Sequence, residues 1–198
     1  MSAFVIGISG GSASGKSTIA EELRKRLAPL RVEVINQDRY FLPTDRLPRH
    51  ANRDGTKEWP DHNQPGSFDF PRLRADLRAA REGKAEVVIA EGILILHDEE
   101  IRSLMDLKLY VEADADERIV RRIRRNVARG YDLEGICDFY LDSVRYRHRE
   151  FNHPTRAHAD LVIPGGKDDW QETDRLLEEV CQRVRTGVKE KPRSGARP

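Results

Sequence analysis

The chain has 198 residues, the size of one domain with at most a small appendage. Its 35 Lys and Arg nearly cancel its 34 Asp and Glu, leaving +1, too even a balance for holding a polyanion such as a nucleic acid by bulk charge. Two cysteines, Cys137 and Cys181, without C-x-x-C spacing exclude a disulfide framework and a zinc ribbon and point to a reducing, cytoplasmic setting. The longest apolar runs, 87–90 and 93–96, fall far short of the roughly 18 residues of a membrane span, so no membrane partner is expected. Residues 1–7 carry no basic leader, so a secretory signal is not expected either.

Residues 4–8 (Phe-Val-Ile-Gly-Ile) read as a strand buried on both faces, running into Gly-rich sequence. Residues 17–27 follow as an amphipathic helix with Ile19, Leu23 and Leu27 on one face, closed by Pro29. Residues 32–35 read as a second strand. The segment 38–67 holds Pro43, Pro48, Pro60 and Pro65 and reads as one long functional loop edged by Tyr40, Phe41 and Trp59. Residues 70–81 predict a helix with Gly83 beyond its end. Strands are expected at 87–90 and 107–111, helices at 114–129 and 135–150, a fifth strand at 161–163, and a last helix at 170–184. Residues 187–198, rich in Lys, Arg, Gly and Pro, read as a disordered tail after one domain spanning 1–186. Strands alternating with helices predict an α/β fold: a five-stranded parallel sheet flanked by helices.

Between the first strand and first helix, Gly10-Gly11-Ser12-Ala13-Ser14-Gly15-Lys16-Ser17 fits G-x-x-x-x-G-K-[ST]. Small residues let consecutive backbone N–H groups turn onto phosphates, and the helix start adds its positive dipole end. Lys16 is placed to reach the β- and γ-phosphates, and the Ser17 hydroxyl to ligate Mg²⁺. The strand before and the helix after are the context this motif requires. ATP and Mg²⁺ are therefore the expected donor and cofactor.

Ligands of such sheets sit beyond the carboxyl ends of the strands. Asp38 follows the second strand and Glu91 the third, so two carboxylates can divide metal ligation and acceptance of a hydroxyl proton. Alone, each would read as a loop cap or surface ion pair. At about 100° per residue, the 114–129 helix puts Val120, Ile123 and Val127 on one stripe and Arg118, Arg122, Arg125 and Arg129 opposite. A charge run is usually a solvated face; beside a phosphate loop it reads as a lid, about 114–150, whose guanidinium groups cover the transferring phosphate. His148, His153 and His158 recur every five residues, which places no two on one helix face and argues against a metal site there.

The motifs resemble, in order, those of the uridine–cytidine kinases within the wider P-loop group that includes phosphoribulokinases, pantothenate kinases and nicotinamide riboside kinases. The resemblance runs from about residue 4 to 167. It rests on 7–18 (Gly-Ile-Ser-Gly-Gly-Ser-Ala-Ser-Gly-Lys-Ser-Thr, ending at Thr18), Gln37-Asp38, 65–69, Glu91-Gly92-Ile93-Leu94, 121–125, 129–134 and 154–164. It implies a P-loop NTPase fold of nucleoside-kinase type and ATP-dependent transfer to a primary hydroxyl. Residues 10–18 would hold ATP with Arg125 and Arg129. Asp38 would be the catalytic acid, working with Lys16 and Arg122, and Glu91 the second metal-side acid beside Ser17. Arg122 would touch the ribose. The segment Asp61-His62-Asn63 falls where the family grips the sugar, with Asn63 in place of the ribose-binding Asp and Asp61 a substitute for it. Tyr40 and Phe41 would add aromatic surface for the substrate.

Two departures bear on substrate. The family's base-reading β-hairpin is absent, since 81–86 leads directly into Val87. Phe139 stands where the family has a base-reading Gln, and Tyr131 where it has an Arg. The expected partners are ATP and a small hydroxyl-bearing substrate, most simply a nucleoside, with a homo-oligomer open and nucleic acid not expected. A kinase for another alcohol, such as nicotinamide riboside, pantothenate or a sugar, remains a second reading. A nucleotide-binding switch is a third, disfavoured because a switch needs neither Asp38 nor an acceptor loop.

Overall fold

The computed structural model describes residues 2–52, 55–56, 58–166 and 169–190. Strand β1 (Phe4–Gly10) is buried along its whole length, as a continuous apolar run in a central parallel strand should be. It leads through the Gly-rich loop into α1 (Lys16–Arg26), and then to β2 (Val32–Asn36). The 38–67 segment, expected as one long loop, is more ordered than its proline content suggests. It carries 3₁₀ turns at Gln37–Tyr40, Thr44–Arg46 and Pro65–Ser67 and a short antiparallel hairpin of β3 (Arg49–Ala51) and β4 (Glu58–Pro60). Helix α2 (Phe70–Glu82) follows, its N-terminus capped by Asp69. It runs by 83–86 straight into β5 (Val87–Glu91), with no hairpin between. Helix α3 (Glu99–Ser103), capped by Asp98, was not expected; its five residues are too few to show a periodicity.

Strand β6 (Leu107–Glu112) and helix α4 (Ala115–Val127) come next, then α5 (Leu133–Phe139). The chain continues helically from α5 through a π turn (Tyr140–Val144), α6 (Arg145–Arg147), a second π turn (His148–Asn152) and a 3₁₀ stretch (His153–His158). Strand β7 (Leu161–Pro164) and helix α7 (Trp170–Glu190) close the fold.

Five strands form one parallel sheet in the order β2-β5-β1-β6-β7. One core packs α1 and α7 on one face, around Ile6, Ile8, Leu23, Leu109 and Val180. The other packs α2 against Val5, Val88 and Ala90. The expected tail is corrected at its start: α7 runs on to Glu190, because Gly187 lies against the Phe4 ring and Val188 packs on the first core. The rest of that tail, 191–198, lies outside the described residues.

The register carries the site. Ile8 of β1 and Asn36 of β2 both lie abreast of Glu91 of β5. The carboxyl ends of three adjacent strands therefore bring the phosphate loop, Glu91 and the Asn36–Asp38 turn to one edge.

Candidate active site

The phosphate loop turns on Gly15, at φ 103°, a conformation that side-chain-bearing residues rarely adopt. Gly15 is also the N-cap of α1, so no capping side chain competes for the first N–H groups of that helix. Lys16 is nearly buried and its Nζ donates to the Gly11 carbonyl at 2.9 Å. Burial pulls its pKa down to about 8, against the opposing pull of Glu91 and Asp38. Gly10 and Ser14 lie behind the loop, Ser14 fully buried; Ser12, Ala13, Gly15, Lys16, Ser17 and Thr18 line the cavities in front of it.

Ser17 Oγ donates to Glu91 Oε1 at 3.0 Å, and Asn36 Nδ2 donates to the same oxygen at 2.5 Å. Burial raises the Glu91 pKa, partly offset by Lys16 and the Ser17 hydrogen bond. Asn36 Oδ1 meanwhile accepts from the Asp38 N–H at 2.7 Å. One amide thus bridges the backbone of one acid and the carboxylate of the other. Asn36 escaped the sequence reading; its signal was an N-cap residue type just before a turn at a strand's end. Gly92 is small because the buried Gln37 side chain lies 2.3 Å from where its Cβ would sit. Gln37 Oε1 in turn accepts from the Leu94 N–H at 2.9 Å.

Two cavities meet at the loop. The first, about 650 Å³, runs from Gly15–Ile19 past Arg121 to Pro164–Gly166 and Trp170. The second, about 390 Å³ and mostly polar, holds Asp38, Glu91, Phe41, His62, Asn63, Arg122, Arg129 and Phe139. Ala13, Lys16, Ser17 and Arg125 line both. A phosphate chain in the first would present its terminal group to the second.

Arg121, Arg122 and Arg125 of α4 face this junction. Arg122 Nη1 donates to Ser12 Oγ at 3.0 Å and Arg125 Nη2 to the same atom at 3.4 Å. Desolvation lowers both, Arg122 to about 10 with Arg125 adding to the effect, so Arg122 stays charged at neutral pH. Arg122 also lies 5.9 Å from the Phe139 ring centroid. Arg118, buried, donates to Ala113 O at 3.0 Å and presses on Gly11, while Arg121 donates to Gly165 O at 2.8 Å. The sequence singled out neither as structural, because nothing local marks which arginine meets a backbone carbonyl. The helix is amphipathic in reverse: Val120 and Val127 are each 47% exposed while Arg118, Arg121 and Arg122 turn inward.

Several substrate assignments change. Tyr40 is core: it is buried against α2 and its hydroxyl donates to Asp76 at 2.9 Å, so it offers no substrate surface. The 3₁₀ turn that projects Asp38 outward swings Tyr40 inward. Asp61 is fully buried and does not line the second cavity. Arg129 lies on that second cavity rather than the first. Trp59 sits behind Phe139, ring centroids 6.1 Å apart. Phe41, His62 and Asn63 line the second cavity, with His62 edge-on to Phe41 at 5.1 Å.

The donor set fits Mg²⁺: a hydroxyl and carboxylates, all hard oxygens, beside a phosphate site. Among the described residues no three His, Cys, Asp or Glu cluster as an all-protein cage. Mg²⁺ in phosphoryl-transfer sites is commonly held by one or two carboxylates plus phosphate and water. Also among the described residues, no helix is long and apolar enough to cross a membrane.

A model of the Phosphoribulokinase / Uridine kinase family matches residues 5–85 and 81–170. The uridine kinase of Brevibacillus brevis is 37% identical over 186 residues, covering 82% of this chain and 85% of that protein. That of Deinococcus deserti is 33% identical over 209 residues, covering 93% and 97%. In fold the chain is similar to shikimate kinase from Acinetobacter baumannii (TM-score 0.57, 16% identity, 93% and 94% covered). It is equally similar to phosphoribulokinase from Rhodobacter spheroides (TM-score 0.57, 18% identity, 82% and 70% covered).

Proposed function

The chain belongs to the Phosphoribulokinase / Uridine kinase family, an ATP-dependent kinase of small molecules, and on that premise we propose that it phosphorylates the primary hydroxyl of a nucleoside or related ribosyl compound. The observation that carries this reading is the pair of cavities joined at Lys16, Ser17 and Arg125, with Asp38 on the acceptor side. A hydrolytic switch has no use for the second cavity.

In this reading residues 11–18 bind the ATP phosphates through loop N–H groups and the start of α1. The acceptor oxygen attacks the γ-phosphorus in line; the new O–P bond forms as the bond to the β,γ-bridging oxygen breaks, and ADP leaves. Asp38 takes the proton of the attacking hydroxyl. Lys16, Arg122 and Arg125 stabilise charge on the transferring group, and the burial of Lys16 and Arg122 strengthens that interaction by excluding water. Ser17 and Glu91, aligned by Asn36, would hold Mg²⁺, which would supply neutralisation of phosphate charge. The two cysteines, unbridged, suit a cytoplasmic enzyme.

The base end of the acceptor offers Phe41 and Phe139 faces with His62 and Asn63, and stacking of that kind accepts any π-face. The test is acceptor-dependent ADP release across uridine, cytidine, adenosine, nicotinamide riboside, pantothenate and simple sugars. We expect turnover with nucleosides and weak discrimination among their bases. Strong selectivity for uridine and cytidine over all others would overturn the stacking argument. ADP release indifferent to every acceptor would overturn the kinase assignment.

A further inference from the structure

A third carboxylate lies beside the acceptor cavity without lining it. Asp61 is 0% exposed. Its Oδ1 accepts from the Asn63 N–H at 2.8 Å, and its Oδ2 from Gln64 Nε2 at 2.9 Å and Arg147 Nε at 2.7 Å. Its own N–H donates to Pro48 O at 2.7 Å, and its carbonyl accepts from Ser67 Oγ at 2.6 Å. Arg147 comes from α6; Glu150 of the π turn that follows accepts from it at 2.8 Å and the Phe151 ring lies 5.7 Å away. The pair is a charged link between the acceptor loop and the C-terminal part of the lid. A buried carboxylate so engaged has little left to offer a ligand, and stripping it of Arg147 would leave an uncompensated buried charge.

What reaches the cavity from this loop is instead the next two side chains, His62 and Asn63. The cavity's two carboxylates both lie at its phosphoryl end. Glu91 is held by Ser17 and Asn36, and Asp38 is the acid assigned to the attacking hydroxyl. Among the described residues its far end carries an imidazole, a primary amide and two phenyl rings, with the Arg122 guanidinium beside Phe139 and no carboxylate.

We propose that Asp61–Arg147 is a positioning clamp that draws the loop's carboxylate out of the acceptor cavity and presents His62 and Asn63 as the recognising groups, so that the site takes an alcohol with or without a neighbouring hydroxyl. This rests on the second cavity being the acceptor's, and it replaces the expectation that Asp61 grips a sugar. A carboxylate reading two adjacent hydroxyls is left with an unpaired charge when one is missing, which rejects the analogue by about 10⁴. A neutral amide loses one ordinary hydrogen bond, a discrimination of about tenfold.

The experiment compares uridine with 2′-deoxyuridine, and adenosine with 2′-deoxyadenosine, by kcat/KM with ATP and by calorimetric binding to the ADP-loaded full chain. The expected ribo-to-deoxy ratio is about tenfold or less, and Asn63→Asp should raise it by a further tenfold or more. Arg147→Met should raise acceptor KM about tenfold with ATP KM and kcat little changed, and Arg147→Lys should recover part of that loss. Should Arg147→Met fail to fold, Asp61→Asn, which keeps shape and removes the charge, reads the same split. A wild-type ratio above about 10³ would overturn the proposal. So would variants that shift both KM values and kcat together, or leave acceptor KM unmoved. If no acceptor turns over, the kinase assignment fails while the binding ratio still judges the clamp; absence of binding by all four nucleosides overturns both.

Discussion

Lys16 is held in the fold against its own electrostatics, and replacing it should stabilise the nucleotide-free chain while disabling it. Its pKa falls from 10.5 to about 8 on burial, so keeping the ammonium charged in the fold costs about 3 kcal/mol at neutral pH. Lys16→Met removes that cost and nearly preserves the volume. It also deprives the Gly11 carbonyl of its donor at 2.9 Å, a loss of about 1 kcal/mol. The net expectation at pH 7 is a gain of about 2 kcal/mol, or roughly 4–8 °C in Tm. Between pH 8 and 10.5 the folded wild type binds fewer protons than the unfolded chain, so its stability rises with pH through that window. The advantage of Lys16→Met should accordingly shrink to under about 1 kcal/mol by pH 9.5. Turnover should fall by about 10²–10³ or more, because charge on the transferring phosphate loses its preorganised partner. Urea unfolding of both proteins at pH 7 and 9.5, with ADP release measured in parallel, tests each part. A variant less stable than wild type at pH 7, or a gap that does not change with pH, would refute the desolvation argument. Near-normal turnover would refute the phosphate-loop assignment.

Asp38→Asn should leave ATP affinity intact and lower transfer by roughly 10²–10⁴; a loss confined to ATP affinity would make Asp38 a metal or structural residue. Arg122→Ala and Arg125→Ala should each reduce kcat strongly while Arg124→Ala, exposed and off that face, does little; equal small effects would mean a solvated helix. Tyr40→Phe should cost about 1 kcal/mol in denaturant titration, through the lost bond to Asp76, and leave acceptor KM unchanged. Gly92→Ala should destabilise by roughly 1–3 kcal/mol, since its Cβ would meet the buried Gln37 side chain at 2.3 Å.

The parts of this protein that depend on near neighbours in the chain could be read from residues. Buried strands announce themselves as apolar runs, and the loop between β1 and α1 is legible because phosphate binding needs small residues, a lysine and a hydroxyl within eight positions. The positions of Asp38 and Glu91 were legible for the same reason, one acid lying just past a strand and the other at a strand's carboxyl end. Tertiary structure decided everything that depends on which way a side chain turns. One 3₁₀ turn sends Asp38 to the cavity and Tyr40 to the core. Arg118, Arg121 and Arg122 lie within five residues, yet meet Ala113 O, Gly165 O and Ser12 Oγ respectively. Asp61 and Arg147 are 86 positions apart, and no local pattern marks a pair that only folding brings to 2.7 Å. Helix α7 outlasts its polar composition because Gly187 and Val188 find Phe4 and the core at the far end of the chain. Propensity and pattern act over a few residues, whereas burial and charge pairing act through space, so the chemistry of the loop was written locally and the shape of the acceptor site was not.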